Sequence, residues 1–302
     1  MTKIIHSAIL SLALAAPAAA QTAAERLELP EPAAREGRTL SIDGAEIFVS
    51  ESGAGDAIVL LHGYPLSGAL FERVRGALDD DHRVVTVDHR GYGNSTAPAA
   101  VTDVATYASD ALAAMDELGI ETAVIGGMSM GGPILFEMFR QDPDAFRAAI
   151  LIDTNHTPAN AIERGIWDGA HATLEEAGEV GAIVPFLLPN MLTGATRLEV
   201  APAQADYLKA VIAQASLEGA LGGAAVLADR PDSTATLEAM DVPVLVLVGQ
   251  EDPVYAVEVS QMMVDAAPDA MLAVIPGASH AAVFEAPEAA AAAMLDFVAG
   301  LD

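Results

Sequence analysis

The chain has 302 residues and a formal net charge of −29, from 43 acidic against 14 basic side chains. That sign excludes a surface built to attract nucleic acid or an anionic membrane, and it disfavours a polyanionic substrate. Hydrophobic residues make up 52%, which excludes general disorder, and the absence of cysteine removes disulfides, thiol catalysis and cysteine-ligated metals.

Residues 1–20 read as a cleavable export signal, placing the mature chain in the periplasm or outside the cell. Lys3 supplies the positive start, residues 8–16 are apolar apart from Ser11, and Pro17 precedes the small residues Ala18, Ala19 and Ala20. The apolar run is well short of the roughly 20 residues that a retained anchor needs, so no membrane span is expected after cleavage. Residues 21–37 are rich in Ala, Glu and Pro and are expected to be a mobile lead-in to one domain over 38–302.

From there, short β-rich runs alternate with helical patterns. Strands are expected at 39–42, 46–50, 57–62, 83–88, 123–126, 148–153, 243–249 and 271–275. The middle runs are nearly all apolar, as in Val244-Leu245-Val246-Leu247-Val248. Strands covered on both faces have that composition, which predicts a mostly parallel, eight-stranded sheet flanked by helices. Thr102 is placed to cap a helix whose apolar face is Val104, Tyr107, Ala108, Ala111, Met115 and Leu118, with Gly119 to end it. Further helices are expected at 70–78, 130–140, 257–266 and 287–299. Over residues 155–238 the alternation stops, and the helix-like stretch reads as a cap inserted over the sheet edge.

Gly127-Met128-Ser129-Met130-Gly131 matches G-x-S-x-G. Alone the match is weak, but an apolar strand runs into it and a helical pattern runs out. A sharp strand-to-helix turn needs glycine on either side of the serine so that backbones can pass closely, and it exposes the serine oxygen at the C-terminal edge of the sheet. Acyl transfer also needs two N–H donors aimed at the developing alkoxide. Met130 N–H is one candidate, and Tyr64 N–H, in the loop His62-Gly63-Tyr64-Pro65 after a buried strand, is the other. The His62 side chain is expected to hold that loop, with a catalytic His62 as the alternative. Ser67 either caps a helix or lines the site.

A serine hydroxyl needs a base within hydrogen-bond reach, oriented by an acid. Asp252 follows the strand at 243–249 and His280 the strand at 271–275, so both are expected at the same edge as Ser129. Asp153, at the end of the strand at 148–153, is the rival acid, and Glu251 is expected to be solvated. His89 and His156 also follow strands, but their loops pair less well with an acid. Met128, Phe186, Leu187 and Met191 are candidates for the acyl pocket, in company with Val184, Leu188, Leu192 and Met130; plain packing of the cap on the body is the alternative for each.

With these positions in view, the chain resembles α/β-hydrolase-fold esterases and lactonases, in particular the enol-lactone hydrolases and cofactor-free haloperoxidases. The matching segments are His62 to Pro65, Asp88-His89-Arg90-Gly91-Tyr92-Gly93-Asn94-Ser95, the turn at Ser129, Arg230-Pro231-Asp232, and Gly277 to His280. The resemblance spans about residues 38–300 and is specific to the fold rather than to a substrate. It implies that Asp88 and Arg90 pin the loop after the fourth strand, and that Arg230 and Asp232 form either a hinge between cap and body or a surface ion pair. It implies a Ser129–His280–Asp252 acyl-transfer mechanism that requires neither metal nor organic cofactor, acting on a small-molecule ester or lactone. Dehalogenases and epoxide hydrolases of this general kind carry an Asp nucleophile, which Ser129 is not. Carbon–carbon bond hydrolysis and perhydrolysis use the same triad and stay open, as does a receptor built on a hydrolase scaffold.

Overall fold

The computed structural model describes residues 29–193 and 202–301. The expected signal at 1–20, and the lead-in as far as residue 28, lie outside the described residues.

Strands β1 (Arg38–Ile42) and β2 (Ala45–Ser52) pair antiparallel across a two-residue turn at Asp43-Gly44, with φ of 41° and 75°. Such hairpin turns need positive φ at both central residues, which Asp tolerates and Gly adopts freely. The sheet continues with β3 (Ala57–Leu61), β4 (Arg83–Val87), β5 (Ala123–Met128), β6 (Phe146–Ile152), β7 (Val244–Gly249) and β8 (Ala270–Ile275), in the order β1-β2-β4-β3-β5-β6-β7-β8. β2 runs antiparallel to β4, and every pairing from β4 to β8 is parallel. Every residue of β5 and β7 is buried, as their apolar runs require, whereas the edge strand β8 leaves Met271 and Val274 partly exposed.

Helices α1 (Glu72–Leu78), α2 (Val104–Glu117) and α3 (Gly131–Gln141) connect the first strands. The cap of α2 is Asp103 rather than Thr102: its carboxylate accepts the Thr106 N–H at 2.8 Å. A carboxylate there also meets the positive end of the helix, an advantage that a hydroxyl lacks. Between β6 and β7 lie α4 (Ala161–Ala177), α5 (Val184–Met191), α6 (Pro202–Ile212), α7 (Leu217–Asp229) and α8 (Thr234–Ala239). The chain closes with α9 (Val257–Ala266), β8, α10 (Ala282–Glu285) and α11 (Pro287–Ala299). No single helix among the described residues is long and apolar enough to cross a membrane.

Residues 29–37 of the expected lead-in lie within the described residues. Pro32–Ala34 forms a short 3-10 turn, and the buried Arg35 guanidinium donates to both oxygens of Asp88, at 2.6 and 2.5 Å. Asp88 also accepts the N–H groups of Gly68 at 2.8 Å and Asn94 at 2.9 Å. A buried carboxylate needs this degree of satisfaction, and the planar fork of arginine supplies much of it. Arg90 donates to Asp110 on α2 at 2.7 Å, so the loop after β4 is tied down at both residues that the resemblance singles out.

Candidate active site

The serine turn is built from sterics. Ser129 has φ of 51°, in the left-handed region that a side chain normally avoids. A Cβ on Gly127 would lie 2.3 Å from the Gly131 carbonyl oxygen, and one on Gly131 would lie 2.4 Å from the Leu61 oxygen. Only glycine fits at these two positions, so the motif spacing reflects backbone clearance. The Ser129 side chain is left at the C-terminal ends of β5 and β3, with the residue 9% exposed.

Asp252 and His280 arrive from the loops after β7 and β8. His280 Nε2 is 3.0 Å from Ser129 Oγ, and its Nδ1 is 2.9 Å from Asp252 Oδ2. The other Asp252 oxygen accepts the N–H groups of Val254 at 2.7 Å and Tyr255 at 3.1 Å. Burial alone would lower the His280 pKa, but the charge and hydrogen bond of Asp252, with the charge of Asp153, outweigh it and leave it above the ordinary histidine value. The three residues, 123 and 28 positions apart in sequence, therefore form one hydrogen-bonded line.

Asp153 is not part of that line. It is fully buried, and its carboxylate accepts Gly249 N–H at 2.8 Å on one oxygen and Ala282 N–H at 3.1 Å on the other. Burial, then the neighbouring Asp252 charge, push its pKa up. Glu251 is exposed.

The loop after β3 presses on the nucleophile. A Cβ on Gly63 would fall 2.9 Å from the Ser129 Cβ and 2.5 Å from Met128 Sδ. No acceptor among the described residues takes the N–H of Tyr64 or of Met130, the two candidate oxyanion donors. His62 does not reach Ser129. It sits behind the loop, with Nδ1 2.9 Å from Gly63 O and Nε2 accepting the His89 N–H at 3.0 Å. Burial lowers its pKa to about 3, so it stays neutral and works as a brace. Ser67 caps the 3-10 turn at Gly68–Phe71 by accepting the Ala69 N–H. The His89 ring lies against that of His62, tilted, with centroids 4.3 Å apart, and His156 is buried, which lowers its pKa.

Of the pocket candidates, Met128, Leu187 and Met191 are buried, and Met191 O accepts the Ala281 N–H next to His280. Phe186, by contrast, is 46% exposed. The buried stripe of α5 is Leu187, Leu188 and Met191, and Phe186 falls outside it.

Two features were missed. Arg230 does not pair with Asp232: it grips Glu163 of α4 with both terminal nitrogens, at 2.6 and 2.7 Å. Tyr255 OH donates to the same Glu163 at 3.0 Å, while the Tyr255 ring stands edge-on to His280 with centroids 5.8 Å apart. Trp167, also on α4, stands edge-on to Tyr64 at 5.5 Å. Nothing in the local sequence joins Glu163 to Tyr255, 92 residues later. Among the described residues no cluster of three or more His, Asp and Glu is arranged to hold a metal ion.

Residues 56–287 match the family described as alpha/beta hydrolase fold. The chain is 29% identical to a thermophilic esterase from Thermogutta terrifontis whose structure was solved with malate bound, with a TM-score of 0.81, covering 88% of this chain and 97% of that one. It is 27% identical to 3-oxoadipate enol-lactonase 2 of Acinetobacter baylyi over 83% of this chain and 92% of the lactonase. It is 28% identical to the bifunctional esterase/perhydrolase DCH of Acinetobacter calcoaceticus over 72% of this chain and 83% of that protein.

Proposed function

Because the chain belongs to the alpha/beta hydrolase fold family, in its esterase and lactonase group, we propose that this hydrolase cleaves a carboxylic ester or lactone through an acyl-enzyme. Ser129 is the nucleophile, His280 the general base and Asp252 the acid that orients it. The observation that carries this reading is the continuous relay from Ser129 Oγ to His280 Nε2 at 3.0 Å and from His280 Nδ1 to Asp252 at 2.9 Å.

An ionised Asp252 only accepts, so Nδ1 of His280 carries the proton and Nε2 is free to take another. As Ser129 Oγ attacks the carbonyl, its proton passes to Nε2 and the imidazolium is stabilised by Asp252. The carbonyl electron pair moves to oxygen, between the unclaimed N–H groups of Tyr64 and Met130. Collapse expels the alkoxide, which takes the proton from His280. Water, deprotonated by the same nitrogen, then attacks the acyl-enzyme and releases the acid. In a lactone the expelled alkoxide stays tethered to the acyl group. The helices between β6 and β7 serve as the cap, and buried Met128, Leu187 and Met191 favour an apolar acyl chain. Similarity to an esterase that is also a perhydrolase favours hydrogen peroxide as a second acceptor, which would release the peracid in place of the acid. The mature chain acts outside the cytoplasm after removal of residues 1–20, which N-terminal sequencing of the periplasmic and secreted fractions tests.

The decisive experiment combines a fluorophosphonate probe with steady-state assays on p-nitrophenyl esters and lactones. One-to-one labelling of Ser129 with sustained turnover, both abolished in Ser129→Ala, is the expected result. Labelling without turnover would favour the receptor reading instead.

A further inference from the structure

Three consecutive residues at the end of β6 touch all the loops on which the relay depends. Ile152 O accepts the Ser129 N–H at 2.9 Å. Thr154 Oγ1 donates to the Ser129 carbonyl oxygen at 2.7 Å. Between them, Asp153 spans the other two loops, with one oxygen on Gly249 N–H at 2.8 Å, at the root of the Asp252 loop, and the other on Ala282 N–H at 3.1 Å, two residues beyond His280. We propose that Asp153 and Thr154 are positioning residues which lock the nucleophile, the acid loop and the base loop into a single register. The proposal rests on the serine-hydrolase reading above.

The sheet explains why this segment has that reach. β6 lies between β5 and β7, so its end is the one place where the chain neighbours both the serine turn and the acid loop. Met128 pairs with Ile152, and Ile152 with Leu247, so β5 and β6 end level while β7 runs on to Gly249. Asp153 N–H continues the ladder to Leu247 O at 2.9 Å. Beyond that point Asp153 adopts φ of 43°, one of three positive values among the described non-glycine residues, and Ser129 is another. Strained backbone of this kind persists only where its surroundings over-determine it. The Ser129 backbone is held on its N–H by the last residue of β6 and on its C=O by Thr154, two residues further on.

Room for Thr154 is made on the opposite side. A Cβ on Gly132 would lie 2.1 Å from Thr154 Oγ1, so glycine at 132 is what admits the hydroxyl. Gly132 lies outside the G-x-S-x-G motif, and this contact gives it a reason of its own. Asp153 and Thr154 are both essentially inaccessible, at 0% and 1% exposure. Neither contacts the substrate carbonyl in the mechanism above. Their effect passes through the placement of Ser129 and His280, where errors well under an ångström reduce the rate steeply.

The test uses the full chain with p-nitrophenyl acetate and the fluorophosphonate probe. Thr154→Val keeps the volume and removes the donor. It is expected to lower kcat and the labelling rate about tenfold with KM within about twofold, while Thr154→Ser recovers most of the loss. Asp153→Asn keeps the shape but turns an N–H donor toward one of its two N–H partners, and is expected to lower kcat about 30-fold or more. Fluorophosphonate rates matching the parent in folded Thr154→Val and Asp153→Asn would overturn the proposal. Should Asp153→Asn fail to fold, the Thr154→Val and Thr154→Ser pair decides: unchanged kcat in Val, or equal loss in Val and Ser, sinks it. A parent protein inert to both ester and probe would instead remove the serine-hydrolase reading beneath it.

Discussion

Around Ser129 the fit is set by backbone clearances and by carboxylates that accept backbone N–H groups, whereas the helices from Ala161 to Ala239 add fastenings between side chains to their main-chain contacts. At the sheet rim, Gly127 and Gly131 clear carbonyl oxygens at distances no side chain allows, and Asp153 and Asp252 are each satisfied by backbone N–H groups. The helices over the rim are fastened by Arg230 to Glu163, Glu163 to Tyr255, Tyr64 to Trp167, and Thr193 to Glu285. Main-chain constraints fix a reacting group to a fraction of an ångström and tolerate little change. Side-chain fastenings let one scaffold carry many different pockets.

The largest expected effect lies at the rim. Asp252→Asn keeps the shape but can no longer hold His280 in the tautomer whose Nε2 accepts a proton. About 10⁴-fold loss of kcat is expected, with the melting temperature nearly unchanged. The same site predicts the pH dependence. The His280 pKa stands above the ordinary value because Asp252, with Asp153, outweighs burial, and the base works only when neutral. Activity therefore falls as pH drops through that raised value, and the acidic limb of kcat/KM lies above about 6.5. An acidic limb below it would show that burial wins and would weaken the assigned role of Asp252.

A smaller effect, and one on stability first, is expected above the rim. Arg230→Met leaves Glu163 without its cation and Tyr255 with a disturbed acceptor. Arg230 is buried and Glu163 only partly so, which places the cost at about 2–3 kcal/mol, below the range for a fully buried pair. Thermal unfolding checks it. Because Tyr255 stands against His280, kcat should also fall several-fold; kcat unchanged in a clearly destabilised variant would separate the cap fastening from the triad.

The same division decides how much was legible beforehand. The inner parallel strands could be read because such strands are largely apolar, and the meeting of Ser129, Asp252 and His280 because the loops after these strands share one edge. The Arg35–Asp88 pair could not: its partners stand 53 residues apart, in a segment whose composition suggests only a loop. Glu163 and Tyr255 were hidden for the same reason, and Arg230 was visible but its neighbour Asp232 was the obvious wrong partner. Which residues of α5 are buried was not legible, because the helix has only eight residues with Pro189 inside, too short for its period to define a face.

The smallest expected effect is the sharpest test of which cap residues reach the substrate. Phe186 and Leu187 are adjacent on α5 and both large and apolar, yet Phe186 is 46% exposed and Leu187 only 7%. Phe186→Ala should change stability by less than about 0.5 kcal/mol and leave kcat/KM within about twofold for every acyl length. Leu187→Ala removes buried methyl groups, at about 2 kcal/mol on a peripheral helix. If its side chain also borders the acyl group, KM for hexanoyl and octanoyl esters rises while that for acetyl esters does not. A longer chain then loses about 0.8 kcal/mol for each methylene that no longer finds cover, about a fourfold step in kcat/KM. Equal loss across all chain lengths would confine Leu187 to packing. A length-dependent loss in Phe186→Ala, with none in Leu187→Ala, would mean that α5 turns over when substrate binds, and that the exposed face seen here is the one the acyl chain meets.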